Sequence, residues 1–172
     1  MIITFCGHAS YVQKDGDEAA MLSLLEELIG DDPAELYLGG YGGFDAFAHR
    51  CGRKYKETHP NARLIFVTPY MTEAYQKSHL EPVKPLYDAI VYPPIESAPF
   101  RFAISYRNKW MVEQADVLIA YVIHEFGGAY ARQKKEEASF RFCRPHFALN
   151  RKKKKNPLFV RKADSLRWFS GC

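Results

Sequence analysis

The sequence predicts an α/β protein, a three-layer sandwich in which a mainly parallel sheet is covered on both faces by helices. Three observations lead there. Strand-like and helix-like stretches alternate along the chain. The strand candidates are continuous apolar runs rather than alternating ones, as strands buried on both faces should be; LIFV within residues 63–68 and DVLIAYVI at 116–123 are the clearest. Glycine or proline marks the ends of the strand candidates, at Gly7, residues 39–43, Pro69 and Gly127-Gly128. In a parallel sheet those loops open on one edge, and the crevice where strand order reverses is the default ligand site.

Taken in order, residues 1–5 (MIITF) read as a buried strand, interior to a sheet of five to seven strands and ending at Cys6-Gly7-His8. Residues 17–29 are a helix with a stripe of Met21, Leu24, Leu25, Leu28 and Ile29, stopped by Gly30-Asp31-Asp32-Pro33. Residues 35–38 form the second strand and feed Gly39-Gly40-Tyr41-Gly42-Gly43. Phe44, Phe47, Ala48, Cys51 and Tyr55 then recur on one helix face, so a helix runs from Gly43 to near His59-Pro60-Asn61. Residues 63–68 supply a third strand, 72–80 a weak helix, and 88–92 a short fourth strand closed by Pro93-Pro94. Residues 103–115 are helical, with Arg107 and Met111 four apart and Asn108, Val112 and Ala115 on the neighbouring stripe. The strand at 116–123 runs into a second glycine passage at Gly127-Gly128-Ala129-Tyr130, where another helix begins; residues 139–150 have no clean period, although a further strand there would complete the sheet.

Composition bounds the function. With 172 residues, 47% of them apolar and 26% charged, the chain is expected to hold one globular domain, residues 1–150, followed by a basic tail, residues 151–172. Arg151, Lys152, Lys153, Lys154, Lys155, Arg161 and Lys162 lie in a stretch without acids; without those seven the formal charge of +4 becomes −3. The domain itself is therefore not a nucleic-acid binder by charge, and only the tail offers a weak, nonspecific attraction for polyanions. The longest apolar run, residues 117–123, is too short to span a bilayer, and MIITF follows no basic leader, so a cytoplasmic protein without membrane association is expected. The four cysteines have neither finger spacing nor the density of a disulfide framework. No His, Cys or carboxylate triplet has metal spacing, so neither a metal nor another cofactor is expected.

The stretch from Leu36 to Cys51 carries the main functional signal. Gly39, Gly40, Gly42 and Gly43 surround Tyr41 and open a helix whose first N–H groups lack intrahelical partners, a combination suited to an anion. The spacing is neither GxGxxG nor that of a P-loop. Each candidate has a structural alternative: His8 contacts a phosphate or ribose, or packs; Asp45 touches ligand, or serves the helix dipole. Arg107 pairs with a phosphate, or forms a surface ion pair; Asn108 reads a base or ribose edge, or holds a loop. Tyr41, Tyr70 and Tyr130 offer stacking faces, although a chain with 11 tyrosines places some beside any cleft by chance. Trp110 is assigned to core or interface, and Cys6 to packing rather than nucleophilic attack.

The ordered motifs CGH after the first strand, YLGGYGGFD, YRNKWMVEQADVLIAY and GGAYA resemble the SLOG superfamily, specifically its small stand-alone Rossmann-like members. The resemblance covers about residues 1–135. In place of that family's Thr-Gly-His-Arg, Cys6 and Ala9 flank Gly7-His8 here, which removes a cation. The resemblance implies a pocket at the carboxyl edge for a nucleotide-derived, phosphate-containing ligand, cyclic nucleotides included, and a homodimer. The superfamily includes DNA-processing proteins of the DprA kind, sensors in bacterial conflict systems and cytokinin-activating phosphoribohydrolases; the PGGxGTxxE motif of the last is FGGAYARQ here, so their chemistry is not expected.

Three functions follow. The first is sensing or sequestering a nucleotide-derived small molecule, which leaves the ligand intact. The second is a hydrolase or transferase acting on an N-glycosidic or phosphoester bond, for which Asp45 and His8 are the obvious polar groups and no catalytic residue is assigned. The third is a DNA-associated or protein-partner module, marked by salt-sensitive retention. The site predicted for the first comprises Gly7, His8, Gly39, Gly40, Tyr41, Gly42, Gly43, Asp45, Pro69, Tyr70, Arg107, Asn108, Gly127, Gly128 and Tyr130.

Overall fold

The computed structural model describes residues 1–121. Five strands, β1 (Ile2–Gly7), β2 (Ala34–Leu38), β3 (Ala62–Val67), β4 (Ala89–Val91) and β5 (Val117–Tyr121), form a sheet in the order β4-β3-β2-β1-β5. Every pairing is parallel, with Ile3 opposite Leu36 on one side of β1 and opposite Val117 on the other. The chain steps outward from β1 to β4 and then crosses back to place β5 on the far side of β1. The first strand is thus interior, as its unbroken apolar sequence predicts, and strand order reverses between β1 and β5.

The period of two along each strand sorts side chains into two cores. Ile3, Phe5, Leu36, Leu38, Leu64, Val117 and Ile119 face α1 (Asp17–Ile29) and α2 (Gly43–Thr58), which contribute Met21, Leu25, Ile29, Phe44, Phe47, Ala48, Cys51 and Tyr55. Tyr37, Ile65 and Val67 face the opposite way and pack with Met111 and Trp110 of α5 (Ala103–Gln114). Two helices, the sheet and α5 are the three layers. Trp110 lies parallel to Tyr37, with ring centroids 5.9 Å apart and planes 9° from coplanar, so it belongs to this second core.

Local chemistry sets the boundaries. α1 follows Gly16 at φ 87° and ends at Gly30, whose N–H donates to Glu26 O over 3.0 Å. The buried Asp17 carboxylate at its start accepts from Tyr11 Oη at 2.6 Å and Lys14 N at 2.7 Å, which ties the loop after β1 to the helix. The expected weak helix at 72–80 is broken up instead. One α turn, α3 (Glu73–Tyr75), opens into a π turn (Gln76–Leu80), a further turn, α4 (Glu81–Val83), and a 3-10 turn (Lys84–Leu86). Pro82 and Pro85 lack the N–H groups a continuous helix needs there. β1 runs two residues beyond its expected end, to Gly7, because β5 pairs with it along that whole length. The glycines at 127–128, Tyr130, the expected helix behind them, the further strand and the basic tail lie outside the described residues.

Candidate functional site

A cleft opens at the carboxyl ends of β1 and β2, under α5. Its walls include Cys6 and Gly7 of β1, Gly39 and Tyr41 from the loop after β2, Asp45 in the first turn of α2, and Arg107 and Asn108 of α5. The fold brings these together from four segments, since every strand-to-helix loop of a parallel sheet ends on this edge. The cleft is small, about 50 Å³, room for a phosphate-sized group or a few waters rather than a whole nucleotide.

Arg107 dominates it. Ala103, Arg107 and Met111 are the buried stripe of α5, and the guanidinium is only 1% exposed. Nη1 donates to Val67 O at 2.9 Å, and the group lies under the Tyr41 ring at 5.3 Å from its centroid. Nε is buried and has no hydrogen-bond partner among the described residues. Burial pulls the Arg107 pKa below its ordinary value, and the nearby Asp45 carboxylate acts in the opposite direction. The Asp45 carboxyl is pushed up by its own burial, against the hydrogen bond from Tyr41 N (2.9 Å to Oδ2) and the Arg107 charge, both of which favour ionisation. Gly39 sits between the two. A Cβ there would lie 2.3 Å from Arg107 Nη1 and 2.9 Å from Asp45 Oδ2, so glycine is what lets a buried cation and a buried carboxyl share this corner.

The structure divides the sequence-predicted residues into five groups. Gly7, Gly39, Tyr41, Asp45, Arg107 and Asn108 line the cleft. His8, Gly42 and Gly43 belong instead to a turn packed between the loop after β1 and the start of α2: Gly43 N donates to Ala9 O at 2.8 Å, and a Cβ on Gly42 would lie 2.6 Å from Ala9 Cα. His8 meets Tyr121 edge-on, with ring centroids 6.4 Å apart. Gly40 (φ 72°) abuts the Phe66 ring. Pro69 and Tyr70 follow β3, where Tyr70 packs with Tyr75 and Phe100 in an aromatic group that adjoins Tyr41 outside the cleft lining, and Gly127, Gly128 and Tyr130 fall outside the described residues.

This geometry narrows the expected anion seat. Two main-chain N–H groups of the glycine loop are already bonded within the protein, Tyr41 N to Asp45 and Gly43 N to Ala9 O. The tight approach at Gly42 is made by Ala9, not left open for a ligand. The surface ion pair weighed for Arg107 is corrected, because its guanidinium is buried and bonded to a carbonyl.

Sequence reasoning missed Tyr75, whose hydroxyl shares a 2.6 Å hydrogen bond with that of Tyr41. Tyr75 lies in the irregular segment after β3, where no motif marks it. Burial and the Tyr75 contact both push the Tyr41 hydroxyl pKa up, so it stays protonated. Among the described residues no group of three His, Cys, Asp or Glu side chains could hold a metal, and no helix is long and apolar enough to cross a membrane.

Sheet order, parallel pairing and helices on both faces define a Rossmann-like α/β protein. Among solved structures, the chain is similar to DNA processing protein A from Helicobacter pylori, a protein described for its single-stranded DNA binding mode, with 16% identity and a TM-score of 0.43. The match covers 75% of this chain and 57% of that one, so the chain spans a little over half the length of its structural neighbour. No protein-family model and no curated protein matches the chain.

Proposed function

We propose that the cleft binds the phosphate-bearing end of a nucleotide-derived small molecule, as a sensor or a sequestering protein of the SLOG type. One observation carries the reading: the buried Nε–H of Arg107 lacks a partner among the described residues and belongs to a side chain lining the cleft. An unmet buried donor costs about 1–3 kcal/mol, more when charged, and a phosphate oxygen would satisfy it with a charge-assisted bond. Asn108 beside it supplies both donors and an acceptor for a ribose or a second phosphate oxygen. The resemblance in YLGGYGGFD and YRNKWMVEQ, whose residues form two walls of the cleft, supports the same reading.

Asp45 shapes the pH response. An anion entering beside its carboxyl disfavours ionisation further, so binding takes up a proton and tightens as pH falls. A ligand phosphate also titrates, but that contribution is shared by Asp45→Asn; the excess pH dependence of the wild type over this variant isolates Asp45. The reading is tested by exposing the protein to a mixed nucleotide and cyclic-nucleotide extract, denaturing it, and identifying retained compounds by mass. Intact input recovered from wild type but not from Arg107→Met supports binding. Recovery of cleaved products alone moves the assignment to a hydrolase, and retention of nothing refutes the cleft.

A second reading, association with DNA, is favoured by charge segregation: seven cations without an acid lie in residues 151–162, in a chain otherwise at −3. It requires retention on single-stranded DNA that weakens steeply with salt and disappears when residues 151–172 are removed.

A further inference from the structure

A cleft of about 50 Å³ is far below the several hundred Å³ of a pocket that encloses a whole ligand. On the reading proposed above, the phosphate enters and the base stays outside. The surface it would meet begins at Tyr41, the cleft wall over Arg107. From there the Tyr41 hydroxyl bonds to that of Tyr75, and Tyr75 meets Tyr70 at 5.2 Å and 70°. Tyr70 in turn stacks on Phe100 at 4.5 Å and 25°. Phe100 ends the series 70% exposed, with one ring face covered by Tyr70.

We infer that Phe100, backed by Tyr70, is a stacking platform for the nucleobase of a free mononucleotide whose phosphate lies at Arg107. Phe100 opens the 3-10 turn (Phe100–Phe102) that leads directly into α5. It precedes Arg107 by seven residues, at most roughly 12 Å at about 2.0 Å per residue through the 3-10 turn and about 1.5 Å in α5, comparable with a nucleotide from phosphate to base. A ligand that meets both ends must present an anion and a π-face, which a nucleotide does. The cleft's volume suits one terminal phosphate, whereas a strand would carry its backbone onward through it. The aromatic rim accepts any base, because each has a π-face, and favours the larger purines.

The test compares AMP, ribose 5-phosphate and a dodecathymidylate by isothermal titration at fixed ionic strength. Wild type should bind AMP about 5- to 150-fold tighter than ribose 5-phosphate, the range of one base–aromatic stack. Phe100→Ala should abolish that difference and Phe100→Trp should preserve it, while Arg107→Met should weaken both small ligands. Arg107-dependent binding of ribose 5-phosphate with no advantage for AMP, or an advantage that survives Phe100→Ala, overturns the platform and spares the cleft. Failure of both small phosphates to bind overturns cleft and platform together. Binding of the oligonucleotide without AMP binding assigns the rim to a strand and overturns the mononucleotide as occupant.

Discussion

Arg107→Met and Arg107→Ala, measured together, separate what the buried guanidinium contributes to the fold from what it offers a ligand. Its hydrogen bond to Val67 O at 2.9 Å is charge-assisted and contributes about 1.5–3 kcal/mol. Removing the side chain also leaves Asp45 buried beside Gly39 without its neighbouring cation. Against these losses stands the cost of burying the guanidinium, the largest influence on its pKa, which methionine would no longer incur. For Arg107→Met these contributions nearly offset, leaving a destabilisation of about 1–2 kcal/mol. Arg107→Ala adds a void beneath the Tyr41 ring and should cost about 3–5 kcal/mol, a large part of the stability of a domain this size.

Urea unfolding followed by far-UV circular dichroism reads both values, and pH gives a second axis. Burial already raises the folded-state Asp45 pKa above the unfolded one, so in that window the folded state holds more protons and stability falls as pH rises. Without Arg107 that pKa rises further and the slope steepens. The gap between wild type and Arg107→Met should therefore be widest at neutral pH and narrow as pH falls toward the ordinary carboxylate range. A gap that is flat with pH would refute the coupling of the two groups across Gly39, and an Arg107→Ala variant as stable as Arg107→Met would refute the void beneath Tyr41.

Gly42→Ala should cost about 3 kcal/mol or more, because Gly42 combines φ 91° with an approach of 2.6 Å to Ala9 Cα; Gly16→Ala, at φ 87° with open space around it, should cost only about 1–2 kcal/mol. Equal melting temperatures for the two variants would remove the steric argument. Asp88 is pushed up by burial but held below its ordinary value overall by hydrogen bonds from Lys56 and from Leu64 N. Its contribution is present above the unfolded carboxylate pKa and is lost as pH falls through the folded one, so Asp88→Asn should flatten the acid limb of a stability profile and leave the alkaline limb in place. Deleting residues 151–172 should leave cooperative thermal unfolding intact, because seven cations without an acid set residues 151–162 apart in composition from the rest of the chain; a broadened or absent transition in calorimetry would place the tail in the fold.

The elements that sequence reasoning placed well are those with a local cause. The span of α1 is bracketed by Gly16 and Gly30 and carries its apolar stripe at helical spacing, so 17–29 is recovered residue for residue. The five strands show themselves as apolar runs because a parallel sheet buries both faces. The segment after β3 was less legible, because two prolines break its helical register and leave two α turns, a π turn and a 3-10 turn. No sum of propensities reports that outcome.

The site was legible in its parts and not in its pairings. Arg107 and Met111 stand four apart, and that spacing contained the clue: a cation in line with the apolar stripe of a helix facing a sheet must be buried, and a buried cation must be answered. What answers it comes from elsewhere in the chain, the Val67 carbonyl 40 residues away and the Asp45 carboxyl across Gly39. The glycine loop was legible only in part, for the complementary reason. Free N–H groups at a helix start are a local property, but whether they stay free is decided by another loop, and Ala9 occupies Gly43 N through a contact that only the packing of the β1 loop on α2 creates. Among the described side chains, Arg107 Nε is the buried donor left without a partner. A ligand anion that reaches Arg107 Nε must therefore enter under α5 and beside Tyr41, which puts the rest of the molecule against the aromatic rim rather than over the glycines.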